Sequence, residues 1–206
     1  SGTTVLRFLY TVASGNVSND LDYLSDSALV FNNGTILDAA GSSADLSLAA
    51  PGAAGSLAAN KNLFIDGLLP SITSVSSNEI DTTYSISDTL GITVTFSEAI
   101  TVSGTPQLTL ETGTSDALAN YLSGTGTNVL TFQFIVVNGH TSVDLDIASS
   151  SALSLNSGSI IDAVGNTATL TLPNPGAAGS LGYNKAITLD ANPPSISLVS
   201  SNNGNG

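Results

Sequence analysis

Carboxylates are the only chemically capable side chains that this sequence carries in number: 16 Asp and Glu stand against three Lys and Arg, one His and no Cys. Four Asp recur at one fixed separation: Asp20 with Asp144, Asp22 with Asp146, Asp38 with Asp162, and Asp66 with Asp190. In Asp20-Leu21-Asp22 and Asp144-Leu145-Asp146, two carboxylates fall on the same side of an extended strand, about 7 Å apart. A hard cation such as Ca2+ could bridge that span with help from backbone carbonyls. Asp190 is the better metal candidate, because it lies where one segment meets the next and a cation there would tie the two together. Glu98, at the end of the run containing Phe96, ranks behind these. The competing reading is that the acids cap turns by accepting backbone N–H bonds, as Asp commonly does. Asp162, in Asp-Ala-Val-Gly-Asn, reads most like a turn residue. Both readings stand on the sequence alone.

Catalytic constellations are not evident. General acid–base chemistry usually calls for His or for paired carboxylates in a pocket. The one His, His140, follows the turn dipeptide Asn138-Gly139 and is expected to be a solvent-exposed turn residue. No Ser sits in a Gly-x-Ser-x-Gly elbow. Gly124-Thr125-Gly126 is followed by neither a Lys nor a helix start, so it does not read as a phosphate loop. Lys61 and Lys185 each follow an Asn; an isopeptide link is conceivable, but an edge-strand Lys that discourages aggregation is the ordinary expectation. The sequence therefore points away from an enzyme.

The elements that position these acids are announced by repetition. PGAAGSL occupies residues 51–57 and again 175–181, and the match extends outward without gaps, with 40 of 76 positions identical between 3–78 and 127–202. The chain is a tandem array with a period of 124 residues, and a unit of that size can bury a core of its own. A net charge of -13 would repel nucleic acid and anionic membranes, while only 9% of residues are charged, so Ser, Thr, Asn and Gly must cover much of the surface. No apolar run is long enough to span a bilayer as a helix, so direct membrane insertion is not expected. Without Cys, stiffening has to come from packing or from oxygen-ligated ions.

Apolar and polar letters alternate with the period of half-buried strands. Leu130, Phe132, Phe134 and Val136 share one face, and Leu6, Phe8, Tyr10 and Val12 repeat that face in the earlier copy. Further inward rows are Ile92, Val94 and Phe96; Leu108 and Leu110; Leu170 and Leu172; and Ile187 and Leu189. Many short strands broken by Gly, Asn and Pro predict an all-β antiparallel sandwich. Pro-containing segments at 66–70 and 190–194 divide the chain. On that phase residues 1–70 are the later part of one repeat, completed by another chain or by preceding sequence. Residues 71–194 are a whole repeat with its linker, and 195–206 open the next.

The stretches PSITSVSSN, ITVTFSEAITVSGTPQLTLETG, IIDAVGN and NKAITLD together resemble the bacterial immunoglobulin-like repeats of giant secreted or cell-surface proteins, such as adhesins. The resemblance implies tandem Ig-like sandwiches outside the cell, acting as spacers in a stalk, adhesin or filament and often binding Ca2+. Their partners would be neighbouring repeats. The alternatives are a self-assembling fibre or surface layer joined by strand exchange, and an adhesive module that binds a cell-surface glycan or protein. With no Trp and five Tyr, of which Tyr121 and Tyr183 are the exposed candidates, the sequence offers a glycan-binding module little support. One departure from the pattern is that Asn166 becomes Ser42 in the earlier copy, removing an amide oxygen that could serve as a ligand.

Overall fold

A computed structural model describes residues 2–200, and the chain divides into two units, Ser1–Leu68 and Leu69–Gly206. The last six residues of the expected next-repeat strand, 201–206, lie outside the described residues. The first unit holds strand β1 (Val17–Ser18), the one-turn helix α1 (Leu57–Asn60) and strand β2 (Ile65–Asp66), with β1 and β2 antiparallel. In the second unit come β3 (Ile72–Ser77), β4 (Thr83–Tyr84), β5 (Thr89–Ser103), β6 (Gln107–Leu110), β7 (Ala117–Ser123) and β8 (Thr127–Ile135). There follow β9 (Thr141–Ser142), β10 (Leu153–Ser154), β11 (Ser159–Ile161), the one-turn helix α2 (Leu181–Asn184) and β12 (Thr188–Asp190). The architecture is all-β, as the alternation predicts.

Seven strands of the second unit form one sheet, ordered β10-β6-β7-β8-β5-β11 with β3 also on β5, every pairing antiparallel. A second sheet runs β4-β12-β9, in which β12 lies parallel to β4 and antiparallel to β9. The long β5 organises the larger sheet. Its first part lies between β3 and β8, its register shifts between Thr95 and Ile100, and its last residues pair with β11. A shift of this kind bends a strand and re-aims its side chains. Glu98 falls within it.

The inward rows of the second unit are where the pattern puts them. Ile92, Val94 and Phe96 of β5, Leu108 and Leu110 of β6, and Leu130, Phe132 and Phe134 of β8 are buried, and Val136, Leu172, Ile187 and Leu189 join the same core. Tyr121 packs edge-on against Phe132 with ring centroids 6.1 Å apart, so it is not the exposed aromatic expected, whereas Tyr183 is exposed. The β7–β8 connection needs Gly at 124: φ is +113°, and a Cβ there would run into the Val129 carbonyl.

The matching row of the first unit behaves differently. Leu6 and Phe8 are 57% and 72% exposed, whereas their counterparts Leu130 and Phe132 are each 0% exposed. No strand forms over 3–12. The strand expected here does not form, and its apolar row is exposed, as a segment without its early strands would leave it, for a simple reason. Leu130 and Phe132 are covered because β8 pairs with β5, and residues 2–68 contain no counterpart of 71–126 to do the same.

Local structure, by contrast, recurs at the repeat distance of 124 residues. Val17 faces Asp66 and Ser18 faces Ile65, just as Thr141 faces Asp190 and Ser142 faces Leu189. The isolated bridge Leu37–Ser43 matches Ile161–Thr167. Asn32 and Asn33 have positive φ, and so do Asn156 and Ser157. These features come from hydrogen bonds within the repeated segment itself, so they persist whether or not the rest of a sandwich is present.

Candidate functional site

PGAAGSL is fixed by an acid upstream. In the second unit the Asp146 carboxylate accepts from the Gly176 N–H at 2.7 Å and the Ser180 hydroxyl at 3.0 Å through Oδ2, and from the Ile147 N–H at 2.8 Å through Oδ1. The Ser180 hydroxyl also accepts from the Tyr183 N–H at 3.3 Å, capping the N-terminus of α2. The first unit repeats the arrangement. Asp22 accepts from the Gly52 N–H at 3.0 Å and the Tyr23 N–H at 2.9 Å, and Ser56 caps α1 through the Ala59 N–H at 3.1 Å. Desolvation works to raise the Asp22 pKa, but hydrogen bonds from Gly52, Tyr23, Ser56 and Ala58 outweigh it and hold the carboxyl below its ordinary value. Both oxygens of Asp146 thus face N–H and O–H donors, the surroundings of a loop-ordering anion.

Asp144 is exposed, and its Oδ2 and that of Asp146 both approach Gly182; a Cβ there would lie 3.3 Å and 2.9 Å from them. Asp20 accepts from the Leu63 N–H at 3.3 Å. Asp66 and Asp190 end β2 and β12, where Oδ1 of each accepts a backbone N–H two residues on, from Leu68 at 3.1 Å and Asn192 at 3.4 Å. These are Asx turns closing a strand. Among the described residues, neither Asp190 nor the Asp144–Asp146 pair belongs to a group of three metal-ligating side chains close enough to share an ion.

The buried member of the set is Asp162, 3% exposed. Its Oδ1 accepts from the Val164 N–H at 2.9 Å and the Asn166 N–H at 2.8 Å, and its Oδ2 accepts from the Asn166 side-chain amide at 2.7 Å. Desolvation pushes its pKa up, but the bonds from Asn166, Val164 and Gly165 prevail and the carboxyl titrates below its ordinary value of 3.8. Asp38 makes the same turn with Ala40 and Ser42 N–H at 2.9 and 2.8 Å. Toward Asp162, the Asn166 side chain acts as a donor through its amide nitrogen, a role Ser42 cannot copy through an amide.

Within the second unit, the bend in β5 brings a carboxylate oxygen of Glu98 within 4.8 Å of one from Asp162. Two ionised carboxylates at that distance repel by about 3 kcal/mol at an effective dielectric of about 20. A cation relieves that repulsion, and both side chains offer carboxylate oxygens, the ligand type that a hard cation takes. The pair is thus chemically suited to hold a metal ion. Its proximity was not legible in the sequence, where the two acids stand 64 residues apart; it depends on the register shift in β5.

His140 is half-buried rather than exposed. Its ring stacks on Phe134 with centroids 5.4 Å apart, and Nδ1 accepts from the Val137 N–H at 3.2 Å. Asn16 does the same work in the first unit, its Oδ1 accepting from the Ala13 N–H at 2.9 Å and from the Tyr10 hydroxyl at 2.9 Å. Burial lowers the His140 pKa. Lys185 is not on an edge strand but forms the C-cap of α2, where its ammonium pairs with Asp81 at 2.9 Å.

No family model matches this chain, and neither a curated protein nor a solved structure matches it.

Proposed function

We propose that the chain is a segment of an extracellular structural protein built from tandem immunoglobulin-like β-sandwiches and serves as a spacer within a long stalk, adhesin or filament. The observation that supports this most is the recurrence of the same turns, caps and loop clamps at a spacing of 124 residues. A repeated scaffold joined by short Pro-containing linkers projects a distal site by length alone. The absence of Cys, the low charged fraction and the Ser/Thr-rich surface fit a secreted origin. Its partners are then neighbouring repeats, and the role is mechanical rather than enzymatic.

In this reading Ca2+ is the ion for Glu98 and Asp162, because both offer hard carboxylate oxygens. Bound there, it would supply charge neutralisation and pin the β5 bend to the turn after β11. Thermal melting in excess Ca2+ and in excess chelator tests this. A site filled to about a hundred times its Kd adds about 2.7 kcal/mol, so Ca2+ should raise the midpoint by several degrees, and Glu98→Gln should remove the rise. Coincident melting curves would argue against the ion. Electron microscopy of the chain tests the spacer role: separate beads on a string support it, and a continuous regular polymer goes against it.

A further inference from the structure

The turn that carries His140 holds the beginning of the Pro-containing linker. In the second unit the Gly139 N–H donates to the Ala191 carbonyl at 3.1 Å, and the Ala191 N–H donates to the His140 carbonyl at 3.0 Å. Ala191, bridged in this way, is 1% exposed and stands directly after β12 and ahead of Pro193-Pro194. Beyond that bridge, among the described residues, 191–193 are bonded to the unit through the Asn192 N–H on the Asp190 carboxylate at 3.4 Å. The turn itself is closed twice: the His140 N–H donates to the Val137 carbonyl at 3.1 Å, and the Val137 N–H donates to His140 Nδ1 at 3.2 Å. The imidazole thus works as an acceptor, which places its one ring proton on Nε2.

The first unit contains the same bridge with a different side chain at its centre. The Gly15 N–H donates to the Gly67 carbonyl at 2.7 Å, the Gly67 N–H to the Asn16 carbonyl at 2.8 Å, and the Asn16 N–H to the Ala13 carbonyl at 3.0 Å. Asn16 Oδ1 stands in for His140 Nδ1, accepting from the Ala13 N–H at 2.9 Å. An amide oxygen accepts at every pH, whereas both nitrogens of a protonated imidazole are donors, so Nδ1–H would oppose the Val137 N–H. We propose that His140 is a proton-operated latch: with the ring neutral, the 137–140 turn holds Ala191 and the start of the linker, and protonation at Nδ1 releases them. The inference rests on these local bonds and not on the spacer role.

The groups around the ring favour that direction. β8, which supplies Phe134, carries no titratable side chain. Acids on the neighbouring elements are Asp190 at the end of β12, Glu111 and Asp116 on the β6–β7 connection that bonds Thr141, and Asp88 in the turn that bonds Val136. An acid facing the ring would favour the imidazolium, but burial prevails and disfavours it. The Phe134 face attracts a cation, which softens the effect without replacing the lost acceptor.

The test is amide hydrogen exchange of the 206-residue chain by NMR, with protection taken relative to the intrinsic rate at each pH. The series runs from about pH 8 down through the titration of the His140 ring protons. Protection of the Ala191 and Gly139 amides should fall about fivefold, the change in equilibrium that one hydrogen bond represents. It should stay below that of Leu145, whose N–H donates to the Ile187 carbonyl in the same unit, and Gly15 and Gly67 should keep theirs. His140→Asn should hold Ala191 protected at every pH, and Asn16→His should give Gly67 the pH dependence that it lacks. Protection at Ala191 that stays constant while the imidazole titrates overturns the proposal. So does a loss that persists in His140→Asn, which would assign it to the surrounding acids. Protection at Ala191 equal to that of Leu145 at every pH also overturns it, because the linker would then be released only when the whole unit opens.

Discussion

Replacing Asp146 separates the two roles open to the Asp-Leu-Asp pair. If the carboxylate orders the PGAAGSL loop, Asp146→Ala strands the Gly176 N–H and the Ser180 hydroxyl, which it reaches across 30 and 34 residues, together with the adjacent Ile147 N–H. Hydrogen bonds to a charged acceptor contribute about 1.5–3 kcal/mol each. The exposed loop lets water replace part of the Gly176 bond, so the two long-range bonds together come to about 3 kcal/mol. At about 3 °C per kcal/mol for a unit of this size, the melting midpoint should fall by about 9 °C. Asp144→Asn is the internal control. That side chain is exposed, and removing its charge relieves repulsion near Gly182, so in chelator the midpoint should stay within about 1 °C or rise slightly. Differential scanning calorimetry of each variant with chelator and with Ca2+ gives the readout. An unchanged midpoint for Asp146→Ala would refute the loop-clamp reasoning. A large loss for Asp144→Asn seen only with Ca2+ would return the pair to the metal reading.

Two further outcomes follow from the same bonds and burials. Phe132→Ala should cost about 3–5 kcal/mol in urea unfolding, whereas Phe8→Ala, at the equivalent position of the repeat, should change stability by less than about 0.5 kcal/mol, because Phe132 is buried and Phe8 is 72% exposed. His140 should make stability pH-dependent. Its folded pKa lies below the ordinary 6.5, so the unfolded chain binds the proton first, and stability is present in full above about pH 6.5 and falls as pH drops through the folded value. His140→Asn, which supplies an amide acceptor for Val137 as Asn16 does for Ala13, should flatten that part of a stability–pH curve measured by urea titration.

The sequence alone determined everything that depends on near neighbours. Alternation at Ile92–Phe96 and Leu130–Val136 announced strands and their buried faces, because a pleated strand sends successive side chains to opposite sides. Asp-Ala-Val-Gly-Asn announced its turn, because an Asp side chain reaches N–H groups two and four residues on without help from the fold. The identity of the two copies announced shared loops, and the caps at Ser56 and Ser180 recur accordingly.

Burial, in contrast, was decided by tertiary structure. Leu6 and Phe8 carry the same letters as Leu130 and Phe132, yet one pair is exposed and the other enclosed. A side chain leaves water when another segment covers it, and cover is a property of what pairs with the strand. The meeting of Glu98 with Asp162 was decided in the same way, since it depends on a bend in β5. So was the stacking of His140 on Phe134, which turns a residue read as an exposed turn into a half-buried acceptor. Local spacing fixes which way a residue points along its strand; the three-dimensional arrangement of distant segments fixes what it meets there.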